Sequence, residues 1–175
     1  MHYVLENDPS HGLGKFPLMF GKARIFQQDG HGGVAFLGED WAAFTPRDDE
    51  LKLYLGVAQD IVVKRSIDKR EESRKTGNVR DYDVVVKYEI ENFKDQTAAL
   101  DIVESMSALR REILGDTGRD VEWELVGSAS LNGKVDRERT NADEVVTRVA
   151  LPPRNADQTA DKQAFTLHVR IKNEW

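Results

Sequence analysis

The sequence predicts an all-β fold, an antiparallel β-sandwich, and three observations carry that reading. In 83–93, Val84, Val86, Tyr88 and Ile90 share one face, while Asp83, Lys87, Glu89 and Glu91 fall on the other. Near the end of the chain, Phe165, Leu167, Val169 and Ile171 alternate with Thr166, His168, Arg170 and Lys172. A period of two marks a strand with one face in a core and one in water. Turn signals also recur at roughly 8–15-residue spacing, with no strand–helix–strand rhythm between them.

The elements follow in order. Residues 1–21 hold Pro9, Gly12, Gly14, Pro17 and Gly21 and read as an irregular arm or linker with at most a short strand. The sandwich domain is expected over 22–175. Two β-prone runs, 22–28 and 34–40, flank the Gly-rich segment 29–33, so a hairpin is predicted. Pro46 and Asp48-Asp49-Glu50 mark a turn. In 51–56, Leu51, Leu53 and Leu55 alternate against Lys52 and Tyr54. A strand is expected over 60–68. The charged stretch 69–80, with Gly77-Asn78, reads as a solvated and mobile hairpin tip.

The 83–93 strand then turns at 92–95 and returns through 97–104. Over 100–115 an alternating pattern competes with a partial helical stripe. The expectation is a strand to about Glu104, then a short helix or irregular turn to Leu114, with Gly115 as its cap. Val121, Trp123 and Leu125 share a face of the next strand. Asn132-Gly133 marks a polar loop, and the strand 145–151 stops at Pro152-Pro153. The result is about nine strands, which a sandwich buries face to face. Val84, Val86, Tyr88, Ile90, Trp123, Phe165, Leu167 and Val169 are the expected core.

Composition narrows the function classes. A chain of 175 residues fits one domain, or one with an appended piece. Its net charge of −6 argues against a general binder of nucleic acid or anionic membrane, which needs a basic face. The absence of cysteine removes disulfides, thiolate nucleophiles and Cys-based zinc sites. The sequence shows neither an apolar run of membrane-spanning length nor a signal-peptide pattern at its start.

Chemistry-bearing motifs are sparse. His2, His11, His31 and His168 form no zinc-type spacing, so surface histidines are expected and no metal site. GLGK (12–15) and DGHGG (29–33) lack the strand-to-helix context of phosphate loops and read as turn glycines. Glu39-Asp40 and Asp48-Asp49-Glu50 lack the spacing of a calcium loop and read as solvated turns. The same groups are the carboxylates a glycosidase would have to draw on. Lys64, Arg65, Lys69, Arg70, Arg74 and Lys75 are interrupted by Asp68, Glu71 and Glu72 and carry no interleaved aromatics. A nucleic-acid groove wants stacking rings beside its cations. Trp123 belongs to the apolar face of its strand. Trp41 and Trp175 are the tryptophans expected at the surface and, with His31, the possible binding surface.

Several segments together resemble a known family. They are NDPSHGLGKFPL (7–18), GKARIFQQDGHGGVAFLGED (21–40), TPRDDELKLYLGVAQDIVVKR (45–65), YDVVVKYEIENFKDQTAALDIVE (82–104) and AFTLHVRIKNEW (164–175). The chain resembles the C-terminal domain of unknown function of mucoidy-inhibitor-A-like bacterial proteins. The likeness covers most of the chain and is weakest over 105–163. It rests on turn glycines and strand alternation. The resemblance implies an immunoglobulin-like sandwich, the C-terminal part of a longer protein, and a periplasmic or cell-envelope setting. It supplies no catalytic residues and no cofactor.

The functional expectation is a non-catalytic structural or protein-interaction module. Its partner would be another region of its own longer chain or a second protein, engaged through sheet edges, with no nucleic acid and no transmembrane segment. The alternative is a carbohydrate-active hydrolase or glycan-binding sandwich using carboxylates and exposed aromatics.

Overall fold

The computed structural model describes residues 1–28, 32–116, 118, 120–126 and 134–175. Among them the chain is built mostly of antiparallel strands, with one α-helix and one short 3-10 turn. It divides into two compact units, Met1–Gln59 and Asp60–Trp175. The division falls at 59/60, whereas the sequence placed a domain start at 22. The arm is integral to the first unit because it supplies a strand.

The first unit contains β1 (His2–Glu6), the 3-10 turn (Pro9–His11), β2 (Gly21–Gln28), β3 (Val34–Ala42) and β4 (Glu50–Tyr54). β1 pairs antiparallel with β4, with Tyr3 opposite Leu53 and Leu5 opposite Leu51. Leu51 and Leu53 are buried with Ala42, and Leu5, Leu18, Ala23 and Ile25 pack against them. Asn7, fully buried, ties the arm down. Its amide donates to the carbonyls of Pro46 at 2.8 Å, Phe16 at 3.1 Å and Thr45 at 3.4 Å. Its side-chain oxygen accepts from Gly14 N–H at 2.9 Å. A buried amide must be satisfied in this way, and here its partners are the turns that lack a ladder of their own.

β2 and β3 form the predicted hairpin, whose tip residues 29–31 lie outside the described residues. Ile25 pairs with Gly38 and Phe26 with Phe36, so Leu37 is an extra residue in β3, a bulge.

The second unit contains β5 (Ile61–Thr76), β6 (Val79–Asn92), β7 (Ala98–Ser105), α1 (Met106–Leu114), β8 (Glu122–Leu125), β9 (Lys134–Val135), β10 (Glu144–Leu151) and β11 (Gln163–Glu174). One sheet has the order β5-β6-β11-β8 and another β7-β10-β9. Their inner faces and α1 feed a single core. Val84, Val86, Tyr88 and Ile90 of β6, Phe165, Leu167, Val169 and Ile171 of β11, Met106 and Leu109 of α1, and Val145, Val149 and Leu151 of β10 are all buried there. Trp123, expected in the core, is only partly buried: it packs against the cluster from β8, an edge strand, and its indole N–H donates to Ala142 O at 2.6 Å.

The competition over 100–115 resolves into strand then helix. Ser105 caps α1 by accepting from Ala108 N–H at 3.2 Å, and Asp143 accepts from Ser107 N–H at 2.9 Å and from Ser105 Oγ at 3.1 Å. Those bonds satisfy donors that a helix start otherwise leaves open. Gly115, at φ 81°, ends the helix and donates to Arg111 O.

The expectation of a mobile tip over 69–79 is corrected. β5 runs on to Thr76 and pairs with β6 down to Val79, so only Gly77 and Asn78 form the turn. The side chains are exposed, as their charge requires, but the backbone pairs with the adjacent strand regardless. On the extension Arg80 bonds Glu72, whose register partner is Tyr82. The loop at Asn132-Gly133 lies outside the described residues.

Candidate functional site

Alternation decides which side of the β2–β3 hairpin meets water. Ala23 and Ile25 turn toward the small core of the first unit. Lys22, Arg24 and Phe26 have the opposite parity and are exposed, as are Trp41, Glu39 and Phe36 across from them. The Leu37 bulge sets Phe36 opposite Phe26. The two rings meet at a centroid distance of 5.4 Å and a tilt of 59°.

At the other end of this face, Trp41 is 59% exposed and Phe20 67% exposed, yet they stack on each other at 5.4 Å with planes within 6°. Lys22 Nζ sits 5.4 Å from the Trp41 ring and bonds Glu39 at 2.8 Å, and Arg24 bonds Glu39 at 3.3 Å. The Lys22 hydrogen bond and charge hold the Glu39 carboxyl below its ordinary range. The face is therefore two aromatic pairs bridged by a Lys–Glu–Arg cluster. Exposed rings of this size with a polar centre are the composition of an interaction surface. Asp40, on the opposite parity, accepts from Trp41 N–H at 2.8 Å and from Tyr54 N–H at 2.7 Å and so anchors the hairpin to β4. Those backbone bonds keep its carboxyl below the usual range.

Of the surface residues singled out from sequence, Trp41 belongs to this face. Trp175 is exposed at the end of β11 in the second unit, so no single unit carries both. His31 lies outside the described residues. The residues the sequence reading passed over are Phe20, Phe26 and Phe36. Phe26 was findable, because it shares the parity of Lys22 and Arg24. The pairing of Phe36 depends on the bulge, which no local pattern announces.

The carboxylates show where acid–base chemistry would have to arise. Glu104 and Glu174 are the buried ones among the described residues. Arg65 bonds Glu104 through two nitrogens, at 2.9 Å and 2.8 Å, and Tyr88 donates to the same carboxylate. Burial first, then the bond to Glu104, pushes the Tyr88 hydroxyl far above its ordinary pKa. Arg110 bonds Glu174 through two nitrogens, both at 2.6 Å. Each buried carboxylate is thus paired with a guanidinium through two bonds. Asp48 and Asp49 are exposed at the turn before β4, and Glu50 is exposed at its first position.

His2 of β1 meets Tyr54 of β4 at a centroid distance of 5.4 Å with the rings tilted by 57°, and His168 sits on the outer face of β11 opposite Val85. No helix among the described residues is long and apolar enough to cross a membrane. No family model matches the chain, and no curated protein or solved structure matches it either.

Proposed function

We propose that this protein is a non-catalytic interaction module that engages a protein partner through the aromatic face of the β2–β3 hairpin. The observation that carries the reading is the exposed Phe20–Trp41 and Phe26–Phe36 pairs on one face of a two-stranded sheet. Among the described residues the first unit buries only Ala42, Leu51 and Leu53 as its apolar core, while Phe16, Met19, Phe20, Phe26, Phe36 and Trp41 are exposed. Apolar surface held in water on this scale marks a contact site. The pairing of both buried carboxylates with arginine supports the non-catalytic part.

In this reading the second unit is a sandwich of immunoglobulin-like character, and the module is the C-terminal part of a longer bacterial envelope protein. The two sheets sharing one core support the first statement. The resemblance to mucoidy-inhibitor-A-like proteins supports the second. The partner is a segment of that longer chain or another protein.

A photoreactive residue placed at Phe36 tests this. It should trap a partner in cells, and Trp41→Ala should abolish the trapping without changing thermal stability. The same label at Lys87, on the ion-paired outer face of the second unit, should trap nothing. Equal trapping from both positions would defeat the proposal.

One observation favours a second reading, glycan binding. The exposed Trp41 ring is flanked by Lys22 and Glu39, and a ring beside placed polar groups suits a sugar. Glycans that shift tryptophan fluorescence in the native chain and not in Trp41→Ala would select it.

A further inference from the structure

We propose that Glu6, Asp8 and His11 of the first unit form a binding site for a divalent transition-metal ion of the zinc class. The donors come from the end of β1 and the 3-10 turn that follows it. His11 Nδ1 lies 3.0 Å from Asp8 Oδ2 and 3.2 Å from Glu6 Oε2, and one ligand atom from each residue falls within 4.8 Å of the others. Metal–ligand bonds of about 2.0–2.2 Å place neighbouring donors about 3.0–3.5 Å apart, so the two nitrogen–oxygen separations already have the required size.

The donor set also has the required chemistry. His11 Nδ1 lies 3.0 Å from both Asp8 carboxylate oxygens and 3.1 Å from Ser10 Oγ, so an entering ion displaces the His11–Asp8 hydrogen bond. A dication in that place meets both carboxylates and the neutral imidazole, and the net charge of the cluster becomes zero. Calcium and magnesium prefer oxygen ligands alone. An imidazole nitrogen in the set shifts preference to zinc, nickel or copper. Three protein donors leave the remaining positions to water.

The frame holding these side chains is fixed by residues that are not themselves donors. Asn7, between Glu6 and Asp8, is itself buried and is locked by four hydrogen bonds. Gly14 packs so tightly on the Asp8 backbone that a Cβ there would come within 2.6 Å of it. Glu6 is paired with Glu50 across the β1–β4 ladder. A site whose backbone is set before binding loses less freedom when the ion arrives.

The test is titration of the full chain with Zn²⁺, followed by calorimetry and by long-range nitrogen NMR of the histidine rings. The expected result is one bound equivalent, with the metal-dependent shift at Nδ1 of His11. Glu6→Gln and His11→Gln should each weaken binding at least tenfold, and in the absence of metal Glu6→Gln should unfold at the native temperature. Asp8 is left intact because it caps the 3-10 turn, accepting from His11 N–H at 3.0 Å. Equal Zn²⁺ affinity in the Glu6→Gln/His11→Gln double variant would overturn the proposal. So would a shift confined to His2, His31 or His168, or the absence of Zn²⁺ binding at millimolar concentration.

Discussion

Arg110→Met should be among the most damaging single substitutions in the second unit. The Arg110 and Glu174 side chains are only 3% and 10% exposed, and two bonds of 2.6 Å join them. Methionine keeps the apolar stem of Arg110 but removes its charge. The Glu174 carboxylate then stays in the core with its partner gone. Removing one member of a buried pair costs about 3–5 kcal/mol, because the surviving ion has neither water nor a counter-charge. Set against a typical total stability of about 5–15 kcal/mol, that is a large share.

The double variant Arg110→Met/Glu174→Met behaves differently. It removes both charges and keeps their volume, so it should recover most of the loss, and apolar replacement of such pairs is often neutral or stabilising by about 1–4 kcal/mol. Urea unfolding followed by circular dichroism gives both free energies, and the double-mutant cycle gives the coupling. A single-variant loss below about 1 kcal/mol would show that β11 releases Glu174 to water at little cost. Equal losses in the single and double variants would show that the side chains contribute packing and not charge pairing. Either result refutes the reasoning.

Two further outcomes follow from the same unit. Ile90→Ala, at a fully buried position of β6, should cost about 2–5 kcal/mol through lost transfer energy and the cavity left behind, measured by chemical denaturation. A loss under about 1 kcal/mol would contradict the inward register of β6. Asp101 is held at a pKa of about 2, below its ordinary 3.8, by hydrogen bonds from Arg148 first and then Arg139. Its folded pKa is depressed, so its contribution is full above 3.8 and disappears as pH falls toward about 2. Partial exposure limits this to about 1 kcal/mol. Acid titration of stability should show that slope in the native chain and a flatter one in Asp101→Asn.

Local alternation was enough to orient the long strands. Val84, Val86, Tyr88 and Ile90 are buried as their parity requires, and so are Phe165, Leu167 and Val169. Local signals also ended the strand near Glu104 and left a short helix or an irregular turn after it, a choice the structure resolves as α1. Chain-local chemistry also separated the solvated face from the core: Lys87 bonds Glu89 at 3.0 Å on the outer side of β6. These properties depend on residues near one another in sequence.

Pairing across distance decided the rest. Period-two alternation tells which face of a strand is apolar and not which strand lies beside it. The pairing of β1 with β4 therefore had no signature in 1–21, and the two-unit division followed from it. The bulge near Asn173 shows the same limit. Strict alternation from Ile171 would send Glu174 outward. The register instead shifts between Ile171 and Glu174, with Asn173 at φ 58° and its N–H donated to Asp81 at 2.9 Å. Asparagine tolerates that conformation, and one extra residue turns Glu174 inward to Arg110. The Leu37 bulge likewise set Phe36 opposite Phe26 and assembled the aromatic face. A bulge is fixed by the energy of the whole ladder and its packing, and so tertiary structure placed these residues where local sequence could not.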